Sequence, residues 1–316
     1  MCKGAADRSL AGMKRIAIEV HDLHKTYAGQ PVLQGLTFAV GEGEIFGIAG
    51  RNGAGKTTTV EILQGLRRRD PGSGRVEVLG FDPARDRRRL RPLVSAQLQT
   101  SALPDRLRVG EALRLFARLA GDVVDWRELA REWRLEELLA KPFATLSGGQ
   151  RQRLFLALTM VNRPRVVFLD ELTQGLDPAA RRETWRLIES ARDSGTTVVL
   201  VTHDMDEAER LCDRVAVLHD GRLVTCGRPV ELVTATGTVR VRFSCPGQTG
   251  LEDLARIPGV GEIGYDGGVA SVTATPIAVV PLAGELARRS LAPADFTVIR
   301  PSLEDAVVSL LNGGSR

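Results

Sequence analysis

The run Gly50-Arg51-Asn52-Gly53-Ala54-Gly55-Lys56-Thr57 constrains this chain more than any other feature of it. Residues 44–49 before it read as a buried strand, and residues 57–66 after it read as a helix. A Gly-rich turn between strand and helix aims successive backbone N–H groups at one point, at the positive end of the helix dipole, and so suits phosphate oxygens. Gly50, Gly53 and Gly55 are glycine because a Cβ would block the backbone conformation or the approach of the phosphate. Lys56 can reach the outer phosphates and the Thr57 hydroxyl can hold Mg²⁺, with Asn52 and Thr58 completing the cradle. A strand, such a loop and a helix together predict an α/β fold around a parallel sheet.

The rest of the chain fits that expectation. Residues 16–20 alternate and residues 32–40 form a second apolar run, which suggests antiparallel strands leading into the phosphate-loop strand, with Tyr27 in the loop between them. Asp70-Pro71-Gly72-Ser73-Gly74 is a turn, and residues 75–79 a short strand. Residues 92–160 read as a mostly helical insertion with one apolar face, from Val109 through Leu115, Phe116 and Leu119 to Trp133 and Leu138. Two near-continuous apolar strands follow, 166–169 and 197–201, joined by a helix that Asp177-Pro178 opens. Strands buried on both faces and linked by helices make a parallel sheet, which a hairpin over residues 214–227 closes.

Composition shifts beyond Pro229, where phosphate-site chemistry stops. Strands 238–243, 260–265, 269–274 and 296–300 with helices 250–257 and 278–289 predict a small α+β, ferredoxin-like domain, followed by a helix at 303–311. The expected organisation is a lead-in over residues 1–14, a main domain over 15–232 and an accessory domain over 233–316. The net charge of +4 over 316 residues, with basic residues in short clusters (Arg67 to Arg69, Arg87 to Arg89), fits solvated helix faces better than a nucleic-acid surface. Cys2, Cys212, Cys226 and Cys245 lack metal-ligand spacing and read as free thiols of a reducing cytoplasm. No apolar run approaches the ~20 residues that cross a bilayer.

Four more stretches occur in one order along the chain. Leu146-Ser147-Gly148-Gly149-Gln150 offers a second phosphate-capable helix start. The apolar run 166–169 ends in Asp170-Glu171, suited to one acid near Mg²⁺ and one polarising a water. Gln99, with Gln97 close by, sits between the phosphate loop and the helical insertion, and His203 stands at the tip of a buried strand, where open α/β sheets place ligands. Through residues 16–227 this set resembles the P-loop NTPases of the ATP-binding cassette (ABC) type. The resemblance implies Gln99 as the Q-loop residue near Mg²⁺ and γ-phosphate, Ser147, Gly148, Gly149 and Gln150 as the signature, and Asp170 as the Mg²⁺-associated acid. It also implies Glu171 as general base, Asp177 in the D-loop, His203 as the switch histidine and Tyr27 as the adenine-stacking aromatic. One departure is Leu172, where the family usually has Pro after the catalytic Glu.

The size of the C-terminal extension and its Pro301-Ser302-Leu303-Glu304-Asp305 look like the ATPase subunits of bacterial drug-efflux systems of the daunorubicin-resistance type. That resemblance implies export of a drug-like or lipid-like substrate through a separate integral membrane permease, from a place on the inner face of the cell membrane. The ABC resemblance implies MgATP sandwiched in a head-to-tail homodimer, and the scattered basic clusters lead to no expected nucleic-acid partner. The competing reading is an ABC ATPase working as a mechanical switch on ribosomes or nucleic acid. Such proteins tend to carry two cassettes or long charged linkers, and neither is present here.

Overall fold

A computed structural model describes residues 15–97, 102–234, 237–245, 250–289, 295–299 and 301–313. Residues 1–14 and Gln99 lie outside the described residues. The chain divides into two units, Met1–Gly227 and Arg228–Arg316.

In the first unit, β1 (Ile16–Tyr27), β2 (Gln30–Gly41) and β4 (Val76–Val78) form an antiparallel sheet in the order β2-β1-β4. The alternation expected at 16–20 breaks at its start: the register shifts between Ile16 and Ile18, so Ala17 and Ile18 are both buried while Ile16 is 48% exposed. A second sheet has the order β5-β6-β7-β3-β8-β9, from β3 (Ile45–Ala49), β5 (Val94–Gln97), β6 (Val166–Asp170), β7 (Thr197–Thr202), β8 (Arg214–His219) and β9 (Arg222–Gly227). All its neighbours pair parallel except β8 and β9, the closing hairpin. Every residue of β3 and β7 is buried, as expected for strands covered on both faces. Phe38 of β2 stacks on Phe46 of β3 at 5.5 Å, which joins the two sheets in one core.

Helices connect these strands: α1 (Lys56–Leu63), α2 (Arg87–Leu90), α3 (Val109–Leu119), α4 (Trp126–Glu132), α5 (Gly148–Thr159), α6 (Pro178–Asp193) and α7 (Met205–Leu211). The stretch expected to open the helical insertion differs, because residues 94–97 form β5, paired parallel to β6. Val94-Ser95-Ala96-Gln97 is too short to show a period of two and owes its extended form to that neighbour. Leu115 and Leu119, expected on the packed face of α3, are exposed, while Val109, Ala112 and Leu113 are buried.

The second unit holds α8 (Pro229–Thr234), β10 (Val239–Ser244), β11 (Val260–Asp266), β12 (Val269–Ala274), α9 (Val279–Arg288), β13 (Thr297–Ile299) and α10 (Leu303–Gly313). Its antiparallel sheet has the order β11-β12-β10-β13, which is the strand order of the split βαβ arrangement. The first crossover is wound as a 3₁₀ turn over Glu252–Arg256 where an α-helix was expected, and Pro258 stands just after it. Val241, Phe243, Val272, Leu282 and Leu286 form the core of this unit.

Candidate functional site

The site is assembled by strand register. Ala49 pairs with Thr202 and Asp170 with Val201, so β3, β6 and β7 end level with one another. The residues that follow these ends, the Gly50 loop, Glu171 and His203, therefore emerge together at the carboxyl edge of a parallel sheet, where such folds bind ligands. β3 lies between β7 and β8, the point at which the strand order turns back.

The loop itself depends on its glycines. A Cβ on Gly50 (φ +154°) would stand 2.3 Å from the Leu218 carbonyl oxygen, and one on Gly55 (φ +97°) 2.6 Å from Leu33 Cδ2. At Gly53 (φ +84°) space is open and the requirement is conformational. α1 starts on Gly55 without a side-chain cap, which leaves its first-turn N–H groups, at Lys56, Thr57 and Thr58, for an anion. Lys56 is buried, and its ammonium donates to the carbonyl oxygens of Gly50 at 2.7 Å and Arg51 at 3.2 Å. Burial pulls its pKa down, against the attraction of Glu171 and then Asp170. Asn52 and Thr57 are exposed and Thr58 half-buried.

Asp170 ends β6, and burial pushes its carboxyl up, reinforced by Glu171 next door and opposed by Lys56. A carboxylate held against its preference for water is one that a cation would relieve. Among the described residues no group of three His, Cys, Asp or Glu side chains gathers to cage a metal. A Mg²⁺ held by one carboxylate, one hydroxyl and the oxygens of a phosphate is the arrangement that Asp170 and Thr57 fit. Glu171 takes φ +48°, and its Oε1 lies 2.9 Å from His203 Nδ1.

The signature residues form a second cluster. Ser147 caps α5: its Oγ accepts from the Gln150 N–H at 3.4 Å while Gln150 Oε1 accepts from the Ser147 N–H at 3.1 Å. Asp177 caps α6, accepting from the N–H groups of Ala179 and Ala180, both at 2.9 Å, and these bonds hold its carboxyl below the usual range. A hollow of ≈ 220 Å³ brings together Ser147, Gly149, Gln150, Asp177, Arg153 and Glu183. None of its lining residues belongs to the phosphate loop. Arg153, which donates to Glu183 at 3.2 Å, was not singled out from the sequence, and only its place one helical turn past Gly149 could have marked it.

Tyr27 is not in a loop: it ends β1, paired with Gln30. Lys25 Nζ lies 5.1 Å and the Arg67 guanidinium 5.3 Å from its ring centre, so a nucleobase stacking there competes with two cations. Of the two candidate glutamines, Gln97 is buried at the end of β5, and its side-chain oxygen has no hydrogen-bond partner among the described residues.

Residues 33–174 match the family described as ABC transporter. The chain is 40% identical over 222 residues to the Nod factor export ATP-binding protein I of Ralstonia nicotianae, covering 69% of this chain and 68% of that protein. It is 34% identical over 316 residues to the daunorubicin resistance ATP-binding protein DrrA2 of Streptomyces coeruleorubidus, covering 94% of this chain and 96% of the relative. A solved structure described as the ATP-binding subunit of an ABC transporter superposes with a TM-score of 0.61 at 31% identity, over 70% of this chain and 93% of the other.

Proposed function

Since the chain belongs to the ABC transporter family, as an ATP-binding and ATP-hydrolysing subunit, we propose that it drives export of a drug-like or lipid-like substrate through a separate integral membrane permease. The observation that carries the reading is the level ending of β3, β6 and β7, which sets Lys56, Asp170, Glu171 and His203 around one edge. The names of the two relatives, which speak of Nod factor export and daunorubicin resistance, support a role in export. Among the described residues no helix is long and apolar enough to cross a membrane, in keeping with a path supplied by another chain and a place on the cytoplasmic face. We assign the ATPase domain to residues 15–232 and an accessory domain to 233–316, although the two compact units part earlier, after Gly227, with α8 in the second.

In this reading the N–H groups of Gly53, Gly55, Lys56, Thr57 and Thr58 cradle the phosphates and Tyr27 meets the adenine. Lys56 exchanges its two backbone carbonyl partners for phosphate oxygens, and there offsets the charge developing on the transferred phosphoryl group. Thr57 and Asp170, with Gln99 or Gln97, would hold Mg²⁺, which when bound would neutralise charge on the phosphate oxygens. Glu171 polarises the attacking water, and His203, already at hydrogen-bond distance from Glu171, holds that carboxylate and contacts the γ-phosphate. The hollow beside Ser147 and Asp177 receives the nucleotide of a second copy, so two chains close head to tail around two MgATP.

Glu171→Gln keeps shape and removes the charge that polarises water. Turnover should fall by ~10²-fold or more, MgATP should still bind, and closed dimer should accumulate. Lys56→Ala should weaken ATP binding and dimerisation together. Nucleotide affinity, ATPase rate and ATP-dependent mass by light scattering separate the two, and parental turnover in Glu171→Gln would remove Glu171 as the base.

A further inference from the structure

Glu207 on α7 is a carboxylate with 1% of its surface exposed, and the steps above make no use of it. Burying a carboxyl group is costly unless its oxygens find hydrogen-bond donors. Two donors are present: the Thr173 hydroxyl donates to Glu207 Oε1 at 2.6 Å, and the Trp185 indole N–H donates to the same oxygen at 3.3 Å. The three residues come from three segments, the loop after β6, helix α6 and helix α7.

Their positions along the chain matter. Thr173 is two residues past Glu171, and Glu207 four past His203. The same two segments are therefore tied twice, once through Glu171 and His203 at 2.9 Å, where the histidine is exposed, and once through Thr173 and Glu207 in the interior. The loop needs an internal restraint. Glu171 sits at φ +48°, a left-handed conformation that a residue with a side chain keeps only when its surroundings impose it. Leu172 after it is buried but brings no ring to fix the next φ, as a proline would. The course of residues 171–177 is set by the backbone bonds of the Glu171 N–H to the Val201 carbonyl oxygen at 2.9 Å and of the Leu176 N–H to the Thr173 carbonyl oxygen at 3.2 Å, by the burial of Leu172, and, as the side-chain tie into the interior, by the hydroxyl of Thr173 on Glu207. α6 is drawn in as well, since Arg181 pairs at 3.5 Å with Asp204, the residue that caps α7.

We propose that Glu207 is a positioning residue for ATP hydrolysis, which through Thr173, and with Trp185 as the third point, holds the 171–177 loop so that the Glu171 carboxylate meets His203. The proposal rests on the reading of Glu171 as general base. A carboxylate that merely satisfied two core donors would govern stability and leave the chemical step alone, so the two roles separate in kinetics.

The test uses the full-length chain and three variants, each first shown to be folded by circular dichroism at the assay temperature. Thr173→Val keeps volume and deletes the hydroxyl; kcat should fall about tenfold or more while KM for MgATP and nucleotide affinity hold, because the misplaced group acts in the chemical step and not in binding. Thr173→Ser returns the hydroxyl and should restore kcat to within about twofold of the parent. Glu171→Gln runs alongside to test the underlying reading. Parental kcat in Thr173→Val with turnover lost in Glu171→Gln overturns the positioning role alone. A kcat loss that Thr173→Ser does not repair overturns it too, since the hydroxyl would not be the cause. Parental turnover in Glu171→Gln overturns the base and the positioning role together.

Discussion

Gly149→Ala tests the second cluster through a collision measurable in advance. A Cβ at Gly149 would stand 2.7 Å from Ala180 Cβ, and the next atom met is Ala180 Cα at 3.8 Å. Carbon atoms in contact prefer about 3.5–4.0 Å, so the starts of α5 and α6 must separate by roughly 1 Å. Both colliding atoms are Cβ carbons fixed to helical backbone, and no rotamer change relieves them. Alanine normally gains about 1 kcal/mol over glycine inside a helix, whereas overpacking costs about 1–3 kcal/mol. The net expectation is a loss of about 1 kcal/mol, or roughly 2–4 °C in Tm for a domain of this size. The functional effect should be larger, because the displaced helix starts carry Ser147 and Asp177 into the hollow proposed to receive a second copy's nucleotide. A shift of about 1 Å there can cost about 10²-fold in rate. Affinity of the isolated chain for ATP should not change. Gly148→Ala is the control, since its Cβ would meet only Leu176 Cδ2 at 3.7 Å, an ordinary contact. It should melt no lower than the parent and, although Gly148 does not itself line the hollow, should still lose turnover if it acts with Ser147 and Gly149 as part of the signature that meets the second nucleotide. Urea unfolding, ATP-analogue binding and ATPase rate against protein concentration decide the matter. Parental stability and turnover in Gly149→Ala would refute the packing argument, and parental turnover in Gly148→Ala would refute the head-to-tail site.

Asp170 should make the nucleotide-free protein sensitive to pH. Its folded pKa is raised, mainly by burial, so between the unfolded value and the raised one the folded chain keeps a proton that the unfolded chain has lost, and stability falls as pH rises through that window. Asp170→Asn should flatten this dependence and raise the melting temperature at neutral pH while abolishing protection by MgATP; an unchanged profile in thermal melts from neutral to mildly acidic buffer would count against it. Chelating Mg²⁺ with EDTA should stop turnover in the parent and lower the ATP-dependent gain in Tm. Tagged protein extracted in mild detergent should bring down a polytopic membrane protein, and recovery only with ribosomes or nucleic acid would favour the switch reading over export. A chain truncated after Val233 should still bind ATP if residues 15–232 are the ATPase domain; a folded truncation that binds none would move that boundary.

The parts legible in the amino-acid order are those whose physics is local. Gly50, Gly53 and Gly55 announce a loop because their backbone conformations are the ones side chains resist, and all three have positive φ. Ser147 and Asp177 could be read as helix starts because a cap and the N–H groups it satisfies lie within three residues of each other. The apolar strands ending in Asp170-Glu171 and before His203 carry their burial in their own composition. Elsewhere long-range pairing decided the outcome. β5 is a strand because β6 lies beside it, and Tyr27 has cations on its ring because Lys25 and the distant Arg67 converge there. Glu207 reads as one more charged residue of an ordinary helix, and only the packing of α7 against the 171–177 loop and α6 buries it and gives it Thr173 and Trp185. The site is a further case: each residue was identifiable alone, but the level ending of β3, β6 and β7 comes from hydrogen-bond register between strands well separated along the chain, as in the pairings of Ala49 with Thr202 and Asp170 with Val201. Capping and φ preference act over a few residues and are written into a short string, whereas register and burial belong to the whole chain at once.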